Sequence, residues 1–170
     1  LEYNIDTLIL ATGFDAMTGA LTSLDIVGRN GIILRDQWKQ GAKSYLGLGV
    51  SNFPNLFTIT GPGSPSVLSN MMPSIEQHVN WIADCIGWMI DNNKSVIESS
   101  LAAEEEWMDL VNEIAGMTIF KSTESWYNGS NIDNKAKAFL PFIGVPVYTE
   151  KLEEITSNNY QGFIFDTSNK

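Results

Sequence analysis

Hydrophobic positions along the chain fall into two kinds of run. Thr7-Leu8-Ile9-Leu10-Ala11 is continuously apolar and closes on Thr12-Gly13, which suits a strand covered on both faces, as in a parallel sheet. Gly28-Arg29-Asn30-Gly31 reads as a turn, with a short strand expected at Ile32-Ile33-Leu34. Leu56-Phe57-Thr58-Ile59-Thr60 is the clearest strand, halted by Gly61-Pro62-Gly63-Ser64-Pro65. The period then becomes helical. Ile75, Val79, Ile82, Ile86 and Met89 recur at the spacing of one helix face, predicting a helix over about 72–92. Its start falls between Asn70 and Ser74, where Ser74 with Gln77 fits a capping box and Glu76 suits the positive end of the helix dipole. Asn92-Asn93 ends it. A second helix is expected over about 100–116, with Trp107, Leu110, Val111 and Ile114 as its buried stripe and Glu104, Glu105 and Glu106 as a solvated face.

After Phe120 the regularity falls away. Residues 125–135 combine Trp126 and Tyr127 with turn formers, the composition of a long functional loop. A helical turn is expected at 152–157 and a closing strand at 162–165. Strand, glycine-proline turn and helix in this order predict an α/β fold.

Composition narrows the function classes. The chain has 170 residues, 44% hydrophobic and 18% charged, enough for one sizeable core. Twenty acidic against ten basic residues give a net charge of −10, which opposes binding to nucleic acid or anionic membranes. A single cysteine, Cys85, allows no intrachain disulfide and reads as a buried core thiol. With no charged leader ahead of an apolar run and no membrane-length apolar stretch, the expectation is a soluble, cytoplasmic protein. The absence of an initial methionine and the abrupt entry into Thr7–Ala11 suggest a fragment or excised domain.

Candidate chemistry is sparse. His78, the one histidine, has no nucleophile spaced to pair with it and reads as a satisfied structural side chain. No His, Cys or carboxylate cluster has metal-ligand spacing. Neither a GxGxxG loop nor a P-loop is present. What remains is the turn from Gly61 to Met72, where a strand ends and a helix begins. Ligands bind at such crevices in α/β sheets, although the same arrangement is also common as plain structure.

Family resemblance adds to this. Asp6 to Asp15 resembles the ATG-containing strand and linker of flavin monooxygenases. Gly61-Pro62-Gly63-Ser64-Pro65-Ser66-Val67-Leu68-Ser69-Asn70-Met71, continuing through Ser74 to Ile82, is similar to Baeyer-Villiger monooxygenases of the phenylacetone and cyclohexanone monooxygenase type. Ser125-Trp126-Tyr127, Gly129, Asn131 and Lys135 look like that family's mobile loop, and Asn159 to Phe163 like its closing segment. The resemblance implies FAD and NADPH as cofactors and insertion of one oxygen atom from O2 into a ketone, giving an ester or lactone. It implies that Thr12, Gly13, Asn70, Met71 and Trp126 lie at the cofactors, Asn70 starting a helix that points at the flavin and Trp126 folding over the nicotinamide. It implies that Ser66, Val67, Leu68 and Met71 shape the ketone pocket.

By the same resemblance, residues 1–15 are the strand and linker from the NADPH domain. Residues 16–170 are the carboxy-terminal part of the FAD-binding domain, with parallel-sheet strands, two helices and a mobile loop at about 122–137. There are departures. Asp133-Asn134-Lys135-Ala136-Lys137 stands where the family carries Pro-Gly-Lys and a basic residue, and neither Arg29 nor Arg35 matches the family's catalytic arginine. No catalytic residue is therefore assigned within the chain, and the missing amino-terminal part of the enzyme is its expected partner. The alternatives are an N- or S-oxidising flavin monooxygenase and a noncatalytic module derived from such an enzyme.

Overall fold

The computed structural model describes residues 2–11, 15–16, 18–65, 70–118 and 144–167. Three long helices carry the fold: α3 (Met71–Asp91), α4 (Leu101–Gly116) and α5 (Val145–Ser157). Two one-turn helices, α1 (Gly19–Thr22) and α2 (Leu34–Gln37), precede them. Strand β1 (Val96–Ser99) lies between α3 and α4 and pairs antiparallel with β2 (Phe163–Asp166), with Val96 opposite Asp166 and Ser99 opposite Phe163.

Each boundary has a local cause. Asn70 caps α3 by accepting from the Met72 amide at 3.1 Å, and Ser100 caps α4 by accepting from the Ala103 amide at 3.2 Å. Gly144, at φ +84°, and Pro146 set the start of α5. Along the other edge of β1, Asn55 takes the place of a strand: its amide donates to the Ile97 carbonyl and its side-chain oxygen accepts from the Ile97 amide.

The main core draws Trp81, Cys85 and Met89 from α3, Trp107, Met108 and Val111 from α4, and Tyr148, Leu152 and Ile155 from α5. They close on Leu46 and Leu48. A smaller cluster of Leu34, Trp38, Ala42, Val50 and Phe53 holds the amino-terminal part. Two of the long helices, α3 and α5, are further stitched by polar contacts, Gln77 to Thr149 at 2.6 Å and Trp81 to Thr156 at 3.0 Å.

Several expectations are corrected. The only sheet among the described residues is antiparallel. Thr7–Ala11 forms no strand, and Leu8, Ile9 and Leu10 are 70%, 83% and 75% exposed, because none of the described elements offers a neighbouring strand or a covering layer. Leu56–Thr60 contributes one isolated bridge, Phe57 to Gly49, and Ile33 one bridge to Val27 before α2 begins. Ser74 lies inside α3 and caps nothing; its Oγ is buried without a partner.

The stripe expected for α3 is also displaced. The buried side chains are Ser74, His78, Trp81, Cys85 and Met89, whereas Val79 and Ile86 are exposed. Together with Met72 and Ile90 they leave an uncovered apolar stripe along the opposite side of the helix. Glu104, expected in solvent, is 1% exposed. The expected short turn at 152–157 is the second half of the 13-residue α5.

Candidate functional site

Two tight turns interlock in front of α3. One reverses at Leu46-Gly47 and the other at Thr60-Gly61, and Leu46 and Thr60 both hold left-handed backbone, at φ 62° and 52°. A leucine and a β-branched threonine rarely adopt that conformation, so each persists only where its surroundings over-determine it. Here they do. The Gly61 amide donates to the Gly47 carbonyl at 3.1 Å, and the Thr58 hydroxyl donates to the same oxygen at 2.8 Å. The Ser44 hydroxyl donates to the Pro62 carbonyl, and the Trp107 indole N-H on α4 donates to the Gly63 carbonyl at 3.0 Å. A Cβ on Gly47 would lie 2.4 Å from the Ser64 Cβ, so the crossing of the turns requires glycine there.

His78 and Tyr148 close the back of this arrangement, each 0% exposed. His78 Nδ1 accepts from the Thr60 amide at 2.9 Å, which leaves the proton on Nε2. Nε2 then donates to the Tyr148 hydroxyl at 2.9 Å, and that hydroxyl donates to the Leu46 carbonyl at 2.6 Å. Burial pushes the imidazole down to about 4, so it is neutral at pH 7. The tyrosine is held well above its ordinary value by the same cause.

Of the residues singled out in the sequence, Asn70 and Met71 occupy the exposed cap and the half-buried first position of α3. Thr12, Gly13, Ser66, Val67, Leu68 and Trp126, with the loop at 122–137, lie outside the described residues. The reading of His78 as a satisfied structural side chain and of Cys85 as a buried thiol holds. Tyr148 and Glu104 went unrecognised. Tyr148 stands in a segment without clear periodicity, and Glu104 is one of three consecutive glutamates, a pattern that carries no sign of which one turns inward.

Among the described residues no group of His, Cys, Asp and Glu side chains is placed to hold a metal ion, and no helix is long and apolar enough to cross a membrane. A cavity of about 420 Å³ lies between α4 and α5, lined by Tyr45, Trp107, Leu110, Lys151, Glu154 and Gln161.

No protein-family model matches the chain. Comparison with individual proteins is informative. The chain is 40% identical over 96% of its length to phenazine N-monooxygenase PhzNO1 of Lysobacter antibioticus, covering 30% of that protein. It is 40% identical over 94% of its length to cyclohexanone 1,2-monooxygenase of an Acinetobacter species, covering 29%. It is 39% identical over 97% of its length to a Baeyer-Villiger monooxygenase of Pseudooceanicola batsensis, covering 30%. Among solved structures, OTEMO in complex with FAD and NADP superposes with a TM-score of 0.88 at 32% identity, over 98% of this chain and 30% of that one. The chain thus spans about 30% of the length of the curated relatives it matches.

Proposed function

Since the chain is a homologue of Baeyer-Villiger monooxygenases along nearly all of its own length, we propose that it is the carboxy-terminal part of an FAD- and NADPH-dependent enzyme that inserts one oxygen atom from O2 into a ketone. The product is an ester or lactone. The observation that carries this reading is the pairing of 40% identity over 94% of the chain with a superposition over 98% of it.

The end of α3 fits an electron-rich edge of a flavin. The first amides of a helix have no partner within it. In α3, Met72 is satisfied by Asn70, Pro73 has no N-H, and the first turn carries no acidic side chain. Met71 is left with an amide that the helix cannot use, at the positive end of a 21-residue dipole. When bound, FAD supplies the activation of O2 and NADPH the hydride.

The chain's own residues orient and enclose. We assign Thr12, Gly13, Asn70, Met71 and Trp126 to the cofactors and Ser66, Val67, Leu68 and Met71 to the ketone pocket. Residues 1–15 we read as the linker from the NADPH domain, with Thr7–Ala11 a parallel strand whose neighbours belong to the remainder of the protein. The exposure of Leu8, Ile9 and Leu10 supports that reading. The chain alone is inactive. One buried cysteine fits a reducing, cytoplasmic setting.

The test is to purify the intact protein that contains this sequence and supply NADPH, O2 and a series of cyclic and linear ketones. Bound FAD and a lactone or ester one oxygen heavier than the ketone are expected; a protein without flavin overturns the reading. The 40% identity to phenazine N-monooxygenase favours a second reading, oxidation at nitrogen. Aromatic N-heterocycles belong in the same assay, and N-oxide without lactone would select it.

A further inference from the structure

We infer that His78 and Tyr148 are a positioning pair that carries the placement of α5 into the backbone of the Thr60–Gly63 turn. The hydrogen bonds form a closed ring. The Thr60 amide donates to His78, His78 to Tyr148, Tyr148 to the Leu46 carbonyl; one residue on, the Gly47 carbonyl accepts from the Gly61 amide, and Gly61 is bonded to Thr60. From the Thr60 amide to the Leu46 carbonyl the three bonds donate in one sense, so each polarises the next, and the Gly61–Gly47 bond, donated from the Gly61 side, closes the ring through the backbone.

An ordinary buried histidine needs only two partners, wherever they lie. This one is joined at both ends to strained backbone, Thr60 on one side and, through Tyr148, Leu46 on the other. The ring also needs one tautomer. With the proton on Nδ1, two N-H groups would face each other at Thr60 and the Tyr148 hydroxyl could not receive a proton while giving its own to Leu46. The tyrosine hydroxyl donates and accepts at once and so joins the Nε2-H to a carbonyl, which a phenyl ring in its place cannot do. Among the described residues Tyr148 is the titratable group facing His78, and the imidazole is held neutral by burial without help from any charge.

The inference rests on the oxygenase reading only for the flavin proposed at the start of α3; the ring itself is independent of it. In the intact protein, Tyr148→Phe breaks the ring at α5 without touching Thr60. Amide hydrogen exchange of the 58–64 segment should then quicken about tenfold, the protection one hydrogen bond confers. Gln77→Leu removes the neighbouring α3–α5 contact, which is outside the ring, and should leave that segment unchanged. If both variants loosen the segment alike, or neither does, the inference fails. Should Tyr148→Phe not fold, the wild-type protein labelled with 15N-histidine decides, with the His78 signal assigned by its loss in His78→Gln. An Nε2-H tautomer at pH 7 upholds the ring, and an Nδ1-H tautomer or a mixture overturns it. Flavin absorbance of the same samples reports separately: a colourless protein with the ring intact rejects the oxygenase reading and leaves this inference standing.

Discussion

Glu104, in the first turn of α4, accepts from both the amide and the hydroxyl of Ser51, at 2.8 and 2.9 Å, and so holds a loop 53 positions away in the chain. Glu104→Ala strands two buried donors, at about 1–3 kcal/mol for each one left unpaired. Glu104→Gln keeps an acceptor for the amide and should lose less. Burial outweighs the two Ser51 donors and raises the carboxyl above its ordinary value. The folded state therefore holds the proton more readily than the unfolded chain. Stability from this group is full below the ordinary carboxyl range and is lost as pH rises through the raised value. Urea unfolding of wild type and Glu104→Gln across pH 4 to 8 should show the wild type's advantage shrinking upward; a constant difference would contradict this.

His78 acts in the opposite direction. Its folded value is pushed down to about 4, so on acidification the unfolded chain takes up a proton first. Stability is complete above the ordinary histidine range near 6.5 and is lost as pH falls from there to about 4. The loss should reach about 2 kcal/mol at pH 5 and about 3 kcal/mol at pH 4. His78→Gln should flatten the curve between pH 7 and 5, which denaturant titrations at the two pH values will measure.

Two glycines should respond to alanine with opposite signs. At Gly47, with φ +75°, the new methyl meets Ser64, and a loss of about 1–3 kcal/mol is expected. At Gly87, within α3, it meets open space, and helix propensity predicts a gain of about 0.5–1 kcal/mol. Melting temperatures of the pair provide the check. A stable Gly47→Ala variant would mean that the two turns do not cross so closely.

The 170-residue chain by itself should bind FAD weakly or not at all. A helix end and backbone contacts contribute about 1–2 kcal/mol, whereas micromolar affinity needs about 8 kcal/mol. No glycine-rich phosphate loop is present to supply the difference. Colourless purified protein is expected; a flavin spectrum would refute this.

What the sequence revealed and what it hid divide along one physical line. The start of α4 at Ser100, the end of α3 at Asn92 and the closing strand near Phe163 were legible because caps and short β-branched or aromatic runs are local signals. The buried face of α3 was misread because His78 and Ser74 occupy it, and a polar side chain counts against burial until its partner is known. His78's partners, Thr60 and Tyr148, lie 18 and 70 positions away. Thr7–Ala11 and Leu56–Thr60 have strand composition, but a strand exists only with a neighbour, and composition does not name one. Beside the interlocked turns, the start of α3 near Asn70 was readable in advance; the turns themselves were not.

The stripe of Met72, Val79, Ile86 and Ile90 gives the chain a particular colloidal character. Alone in solution, copies attract through this side of α3 and through Leu8, Ile9 and Leu10, while a net charge of −10 keeps them apart. Salt weakens the repulsion, shortening its reach from roughly 30 Å at 0.01 M to roughly 8 Å at 0.15 M, and leaves the apolar attraction intact. The isolated chain should therefore scatter as a monomer in dilute buffer and as growing particles at physiological ionic strength, the reverse of a protein that associates through ion pairs.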